Sequence, residues 1–502
     1  MSSEGFSTMN RFSPNPTPCG QSRRSFLWEV GGGFASLGLV DLLSRDGFFD
    51  GTNNSLSAAE TTASSVKPSN VGKPLQFPVK AKHCIFLFMN GGPSQIDTFD
   101  PKPVLDKYDG KPYSGDLKFG SNGRPIGYLM RSPFRFQKYG ESGLEISELY
   151  SQTAQHADDL CVLRAMYTDT AAHSSGCLQM NTGSPLTGRP SLGSWLNYGL
   201  GSLNENLPNF VVMTDSRGGP IGGAPNWGAG YMPAANQGTL FRSKGSPLLD
   251  LATPEGVGAR TQRHSLDLFA KLNEEHAARH SEQSELAARI SSYELAYRMQ
   301  TSAAEVVDVE RESQETQSMY GLNDPLTSEF GRKCLVARRL VEQGVRFIQI
   351  YSGGGHIEAT WDGHNDCITN HKIHAGETDK PIAALIADLK QRGQWDETLI
   401  VWGGEFGRTA TSEGVGKPGR DHNWLGFSMW LAGGGVKGGQ AIGATDELGF
   451  TGVEDRAHVS DLHATILRLM GFDHRRLSYF YNGLDQRLTG VDERHVIEKV
   501  LA

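Results

Sequence analysis

A chain of 502 residues is long enough for one large α/β domain or two ordinary ones. Its formal net charge of −8, carried without long runs of one sign, excludes the basic face that a nucleic-acid footprint requires. With 21% charged and 38% apolar residues the composition is that of an ordinary globular protein, and many of its 61 glycines fall in loops between apolar runs.

The first segment reads as a leader. Arg23 and Arg24 precede Ser25, Phe26 and Leu27 and a weakly apolar run. A twin arginine before a modest apolar stretch is the mark of twin-arginine export, which places the product in the periplasm or outside the cell. Gly31, Gly32, Gly33 and Asp41 make the run too polar and too short for a stable membrane span. A polar, small-residue linker follows, with cleavage expected near Ala58 or Ala59. Residues 1–59 are therefore assigned to the signal segment and the start of the linker, and 60–79 to the linker. None of the six cysteines forms a Cys-x-x-Cys pair, and Cys19 would leave with the leader, so a disulfide framework is not expected.

From residue 80 to residue 502 short apolar runs alternate with helical patterns. His83–Met89, Leu160–Met166, Asn209–Thr214, Val345–Tyr351, Thr398–Gly404 and Phe427–Gly434 read as strands covered on both faces, because they are almost continuously apolar. Ser328–Gly344, Asp379–Gly393 and Ser460–Gly471 read as helices, each closing on a glycine. The alternation predicts an α/β three-layer sandwich with a largely parallel central sheet. The stretch from about 255 to 325, rich in Glu, Ala, Gln, Arg and Leu, reads as a helical insertion.

Ligands of open α/β sheets bind at the carboxyl ends of the strands, so the polar residues after each strand carry the functional signal. After the first strand stand Asn90, Ser94, Asp97 and Asp100, as cation ligands or as turn and cap residues. After the second come His173, Ser174 and Ser175 at the start of a helix, where exposed N–H groups attract anions or a serine caps the turn. After the fourth, Asp362, His364 and Asp366 alternate around Gly363, and His371 and His374 share a face if that segment is helical. Towards the C-terminus Glu405 is flanked by glycine and followed by Arg408, then by Arg420, Asp421 and His422. Glu405 reads as a ligand or as the partner of Arg408, and the arginines as a fork for an anionic substrate. Together these Asp, Glu and His side chains suit a divalent metal ion: zinc, manganese, or calcium where oxygens dominate.

The ordered series FMNGGPSQIDTFDPKP, HSSGCLQMNTG, TWDGHND, WGGEFGRT and GRDHNW resembles the exported family called domain of unknown function 1501, which is related to the alkaline phosphatase and sulfatase superfamily. The resemblance implies that superfamily's α/β sandwich, a metal site at the strand ends, and hydrolysis of sulfate or phosphate esters. The superfamily's nucleophile precedes a Thr-Gly pair by a spacing that here lands on His173, with Ser174 beside it. His173 or Ser174 is thus expected as nucleophile or acid–base group, or His173 as a metal or phosphate ligand, or metal-activated water attacks with no covalent intermediate. Asp362, His364 and His422 resemble superfamily metal ligands. Glu405 falls where an aspartate ligand is usual, Phe406 where a histidine is usual, and Asn90, with Asp97 further on, where an early aspartate is usual.

The sequence therefore predicts an exported metal-dependent hydrolase. Its expected ligands are Asp97, Asp362, His364, Glu405 and His422, its expected catalytic residues His173, Ser174 and Arg408, and its expected substrate an anionic small-molecule or polysaccharide ester. A catalytically altered relative that binds a glycan or a partner protein is the alternative, and a phosphomutase-like transferase a third reading.

Overall fold

The computed structural model describes residues 72–113, 127–242, 248, 253, 256–279, 284–355, 359–414 and 417–502. The leader and linker residues 60–71 lie outside the described residues. The chain divides into two compact units. The described part of one is essentially a single helix, Ala259–Arg279. The other comprises residues 66–252 and 281–502 and carries the sheet.

In chain order the strands used below are β1 (His83–Met89), β2 (Leu160–Tyr167), β3 (Phe210–Met213), β4 (Thr239–Leu240), β5 (Phe347–Ser352), β6 (Thr398–Gly403), β7 (Gly407–Gly414), β8 (Lys417–Asn423), β9 (Phe427–Gly433), β10 (Gln440–Ile442) and β11 (Ala457–His458). Among the described residues nine of them form one sheet in the order β10-β2-β9-β6-β1-β5-β3-β4, with β11 also pairing with β2. Every pairing in it is parallel except those of β9, which runs antiparallel to both β2 and β6. The register sets Ile85 beside Ile348 on one side and Ile400 on the other.

Alternation along each strand feeds two cores. Ile85, Leu87, Ile348, Ile350, Ile400, Trp402 and Trp430 face one. Cys84, Phe86, Phe88, Phe347, Leu399, Val401 and Met429 face the other. Helices α1 (Ser328–Glu342) and α2 (Cys367–Gln391) cover the first face with residues such as Leu335, Leu340, Ile382 and Leu389. Helices His173–Thr182, Leu192–Leu200 and Val459–Leu469 cover the second with Met180, Trp195, Leu196, Leu462 and Ile466. Both faces of β1, β5, β6 and β9 are buried, which is why those strands read as unbroken apolar runs. The fold is the three-layer α/β sandwich with a largely parallel sheet.

Helix α2 departs from the sequence expectation. It begins at Cys367 and not at Asp379, so Pro381, expected in its first turn, sits in its interior. Asp366 explains the early start: its carboxylate accepts from the Thr369 N–H at 2.9 Å and caps the helix. Asp366 is therefore a cap and not a ligand, and His371 and His374 are buried on the helix. No described helix is long and apolar enough to cross a membrane.

Candidate metal centre

Four chain segments meet at the carboxyl ends of the parallel strands. His173 is the first residue of the helix that follows β2. That helix closes on Gly183 in the left-handed region, and its N-cap position, Ala172, supplies no side-chain hydrogen bond to the first turn. Asp362 and His364 lie on the loop between β5 and α2. The loop is pinned by Trp361, whose backbone N–H donates to the Asn90 carbonyl at 2.9 Å and whose indole N–H donates to Ser352 Oγ at 3.1 Å. Arg408 and His422 stand opposite each other in the β7–β8 hairpin. Close approach requires glycine at residue 91: its φ is 111°, and a Cβ there would come within 2.6 Å of the Asp362 nitrogen.

One ligand atom from each of His173, Asp362, His364 and His422 lies within 4.8 Å of all the others. Asp362 Oδ2 is 3.2 Å from His173 Nε2, and Oδ1 is 3.1 Å from His364 Nε2 and 3.6 Å from His422 Nε2. His364 Nε2 and His422 Nε2 are 2.7 Å apart. A tetrahedral zinc with metal–nitrogen bonds of about 2.0–2.1 Å sets neighbouring ligands about 3.3 Å apart, close to the three spacings around Asp362. Two of the three outer ring nitrogens are already spent. His422 Nδ1 donates to the Ala171 carbonyl at 2.6 Å, and His173 Nδ1 donates to Glu405 Oε1 at 2.6 Å. Each hydrogen bond fixes the tautomer whose Nε2 lone pair points inward. Two buried atoms of the cluster, His173 Nε2 and Asp362 Oδ1, make ionic contacts, to Asp362 Oδ2 and to Arg408 Nη2, but no well-aligned hydrogen bond. Converging from three imidazoles and one carboxylate, the cluster atoms fit a divalent cation.

The electrostatics agree. Burial raises the Asp362 carboxyl, but the Arg408 guanidinium and hydrogen bonds from His173 and His422 more than offset it, holding the group far below the usual carboxylate range. Burial, aided by Arg408, pushes His364 down to about 3 and lowers His422, so both present neutral rings. Burial also opposes charge on His173, yet hydrogen bonds to Asp362 and Glu405 raise its pKa. A proton held there is one that cation binding would displace.

The remaining expected site residues fall elsewhere. Asp97 is not in the cluster: it is buried against Arg420, with Nε at 2.8 Å, and accepts from Ser94 Oγ at 2.6 Å. Its oxygens go to a buried guanidinium and a serine hydroxyl, apart from the four-residue cluster. Glu405 stands one layer out, behind His173, and accepts from the Gly91 N–H at 2.9 and 3.1 Å. Arg408, expected to grip an anion, is fully buried and gives its guanidinium to Asp362 Oδ1 at 2.7 Å and to the carbonyls of Gly91, Gly92 and Arg420. Arg420 is equally buried, so neither arginine is available as an anion clamp. Ser174 is exposed on the first helical turn. Asn90 bonds to Gly353 and Ile221 and links neighbouring loops. The sequence reading missed the Ala171 carbonyl and the Gly91 N–H, because backbone groups leave no side-chain signal.

Solved structures similar to this chain include the lipoteichoic acid synthase LtaP from Listeria monocytogenes, at 10% identity over 84% of this chain and 79% of that one, with a TM-score of 0.38. The PsFucS1 sulfatase from Pseudoalteromonas sp. shares 14% identity over 84% and 75% of the two chains, with a TM-score of 0.35. The alkaline phosphatase from the Antarctic bacterium TAB5 shares 11% over 80% and 99%, with a TM-score of 0.31. No curated protein matches the sequence. Residues 81–501, from the first residues before β1 to the C-terminal end, match the family described as "Protein of unknown function (DUF1501)", and the chain belongs to that family.

Proposed function

We propose that this chain is a metal-dependent hydrolase of sulfate or phosphate esters, exported by the twin-arginine route. The observation that carries the proposal is the convergence of His173, Asp362, His364 and His422 from separate segments onto one point. Three imidazoles and one carboxylate favour zinc or manganese over calcium, which takes six to eight oxygen ligands. A cation held by these residues with one coordination position left open would supply Lewis acidity towards an ester oxygen and make hydroxide available near neutral pH. The chain's own residues do the rest. Arg408 fixes Asp362, and Ala171 and Glu405 fix two of the imidazoles. The first turn after Ala172, with its uncapped N–H groups and the exposed Ser174, offers donors to the oxygens of an anionic small-molecule or polysaccharide ester. The likeness of the motif series to the alkaline phosphatase and sulfatase superfamily supports the same reaction class, and Arg23 and Arg24 support export.

Purified protein assayed against panels of aryl sulfates and aryl phosphates, with and without chelator, tests the reading. Turnover that the chelator abolishes and zinc or manganese restores is expected on one panel. No metal-dependent turnover on either panel overturns it. The burial of Arg408 and Arg420 favours one second reading, a non-catalytic relative that binds a glycan or a partner protein. Saturable glycan binding without turnover distinguishes it.

A further inference from the structure

We propose that Glu405 is the positioning residue of this centre, holding the His173 imidazole in the tautomer that aims Nε2 at Asp362, His364 and His422. The inference rests on the metal-binding reading of that cluster. Glu405 is fully buried, and a buried carboxylate is costly unless hydrogen bonds satisfy it. The sequence offers Glu405 as a metal ligand or as the partner of Arg408, three residues on, but that guanidinium goes to Asp362. The acceptor capacity of Glu405 goes instead to the Gly91 N–H, at 2.9 and 3.1 Å, and to His173 Nδ1 at 2.6 Å. Two glycines make this possible. Gly91 holds a φ of 111°, and Gly176, one helical turn beyond His173, leaves room where an added Cβ would meet Glu405 Cβ and the Phe406 ring at 3.2 Å. Phe406 then walls the two imidazoles, its ring centroid 4.8 Å from that of His173 and 4.6 Å from that of His422.

The consequence is chemical. His173 occupies the place at which the resemblance expects a nucleophile, yet its Nδ1 is committed to Glu405 and its Nε2 to the cluster. No ring nitrogen is left to attack an ester, so His173 acts as a ligand. Partners behind a metal-binding histidine raise its basicity and fix its orientation, and their loss costs about 10–100-fold in metal affinity.

The test uses the full chain and zinc alone as probe. Glu405→Gln keeps the shape but removes the charge; it is expected to weaken zinc binding by about 10–100-fold in a chelator competition and to alter the visible spectrum of the cobalt-substituted protein. Glu405→Asp is expected to lie between the two. A folded Glu405→Gln protein with wild-type affinity and spectrum, beside a wild type that binds zinc, overturns the positioning role alone. A wild type that binds no divalent cation overturns this inference and the metal reading together. Should the variant not fold, 15N-histidine spectra of the wild-type protein decide: a proton on His173 Nδ1 is expected, and one on Nε2 instead overturns the proposal.

Discussion

Arg408 Nη2 lies 2.7 Å from Asp362 Oδ1, with the arginine side chain fully buried and the aspartate side chain 3% exposed. One carboxylate therefore serves two masters, a structural guanidinium on one side and the imidazole cluster on the other. The two roles separate by mutation. Asp362→Ala removes a ligand and also strands a buried charge, which costs about 3–5 kcal/mol. His364→Ala removes a ligand and strands nothing charged, and is expected to cost about 1 kcal/mol. Denaturant unfolding of the metal-free variants checks this, alongside metal titration in which both are defective. Equal stabilities would separate Arg408 from Asp362.

Asp97 is predicted to matter for stability and not for metal. Burial works against its charge, but Arg420 and the Ser94 hydroxyl hold its carboxyl below the ordinary range. Asp97→Ala leaves the Arg420 guanidinium buried and unpaired, a loss of about 3–5 kcal/mol. The folded fraction should still bind zinc with wild-type stoichiometry. A folded Asp97→Ala protein that has lost its cation would restore Asp97 to the ligand set.

Stability should fall in acid, in part through His371. The Ser94 N–H donates to His371 Nε2 at 2.8 Å, so that nitrogen must be bare in the folded protein. Burial, chiefly, pushes the group down to about 3. The unfolded chain takes up this proton near the ordinary value of about 6.5, so between about 6.5 and 3 it binds more protons than the folded protein and stability drops as pH drops. The stability advantage of wild type over His371→Gln is predicted to be full above pH 6.5 and to shrink across that window. A difference that does not change with pH would contradict it.

Backbone room at Gly91 is a further requirement. Gly91→Ala forces a side chain into a φ of 111° and into contact with the backbone of Trp361 and Asp362. Strain of that kind costs about 1–3 kcal/mol before any clash, and it disturbs both Asp362 and the N–H that holds Glu405. Gly110→Ala is the control, since its φ of 73° carries strain but an added Cβ there meets nothing within 4 Å. Gly91→Ala is expected to lower both stability and zinc affinity, and Gly110→Ala stability alone. Equal zinc affinities in the two variants would contradict the assigned role.

Much of this fold is legible in the sequence because strands buried on both faces must be apolar throughout. His83–Met89 matches its strand end to end, and Leu160, Thr398 and Phe427 mark strand starts. Helix α2 was misread at its start because Pro381 looks like a first-turn proline, whereas the cap is Asp366, fifteen residues earlier. At the site, Asp362 and His364 stand out because they flank a glycine after a strand. The roles of Asp97, Glu405 and Arg408 do not stand out, because which carboxylate meets which guanidinium depends on burial and long-range packing that spacing does not encode. Residues 405 and 408 suggest a local pair, and the fold instead sends one to His173 and the other to Asp362.

Metal content is the most direct test of the account. Elemental analysis of the folded protein, repeated after chelation and zinc titration, should find one divalent cation per chain in the wild type and none retained by His422→Ala. A wild-type protein that carries no cation and takes none up on titration would contradict the assignment of His173, Asp362, His364 and His422 as a metal centre.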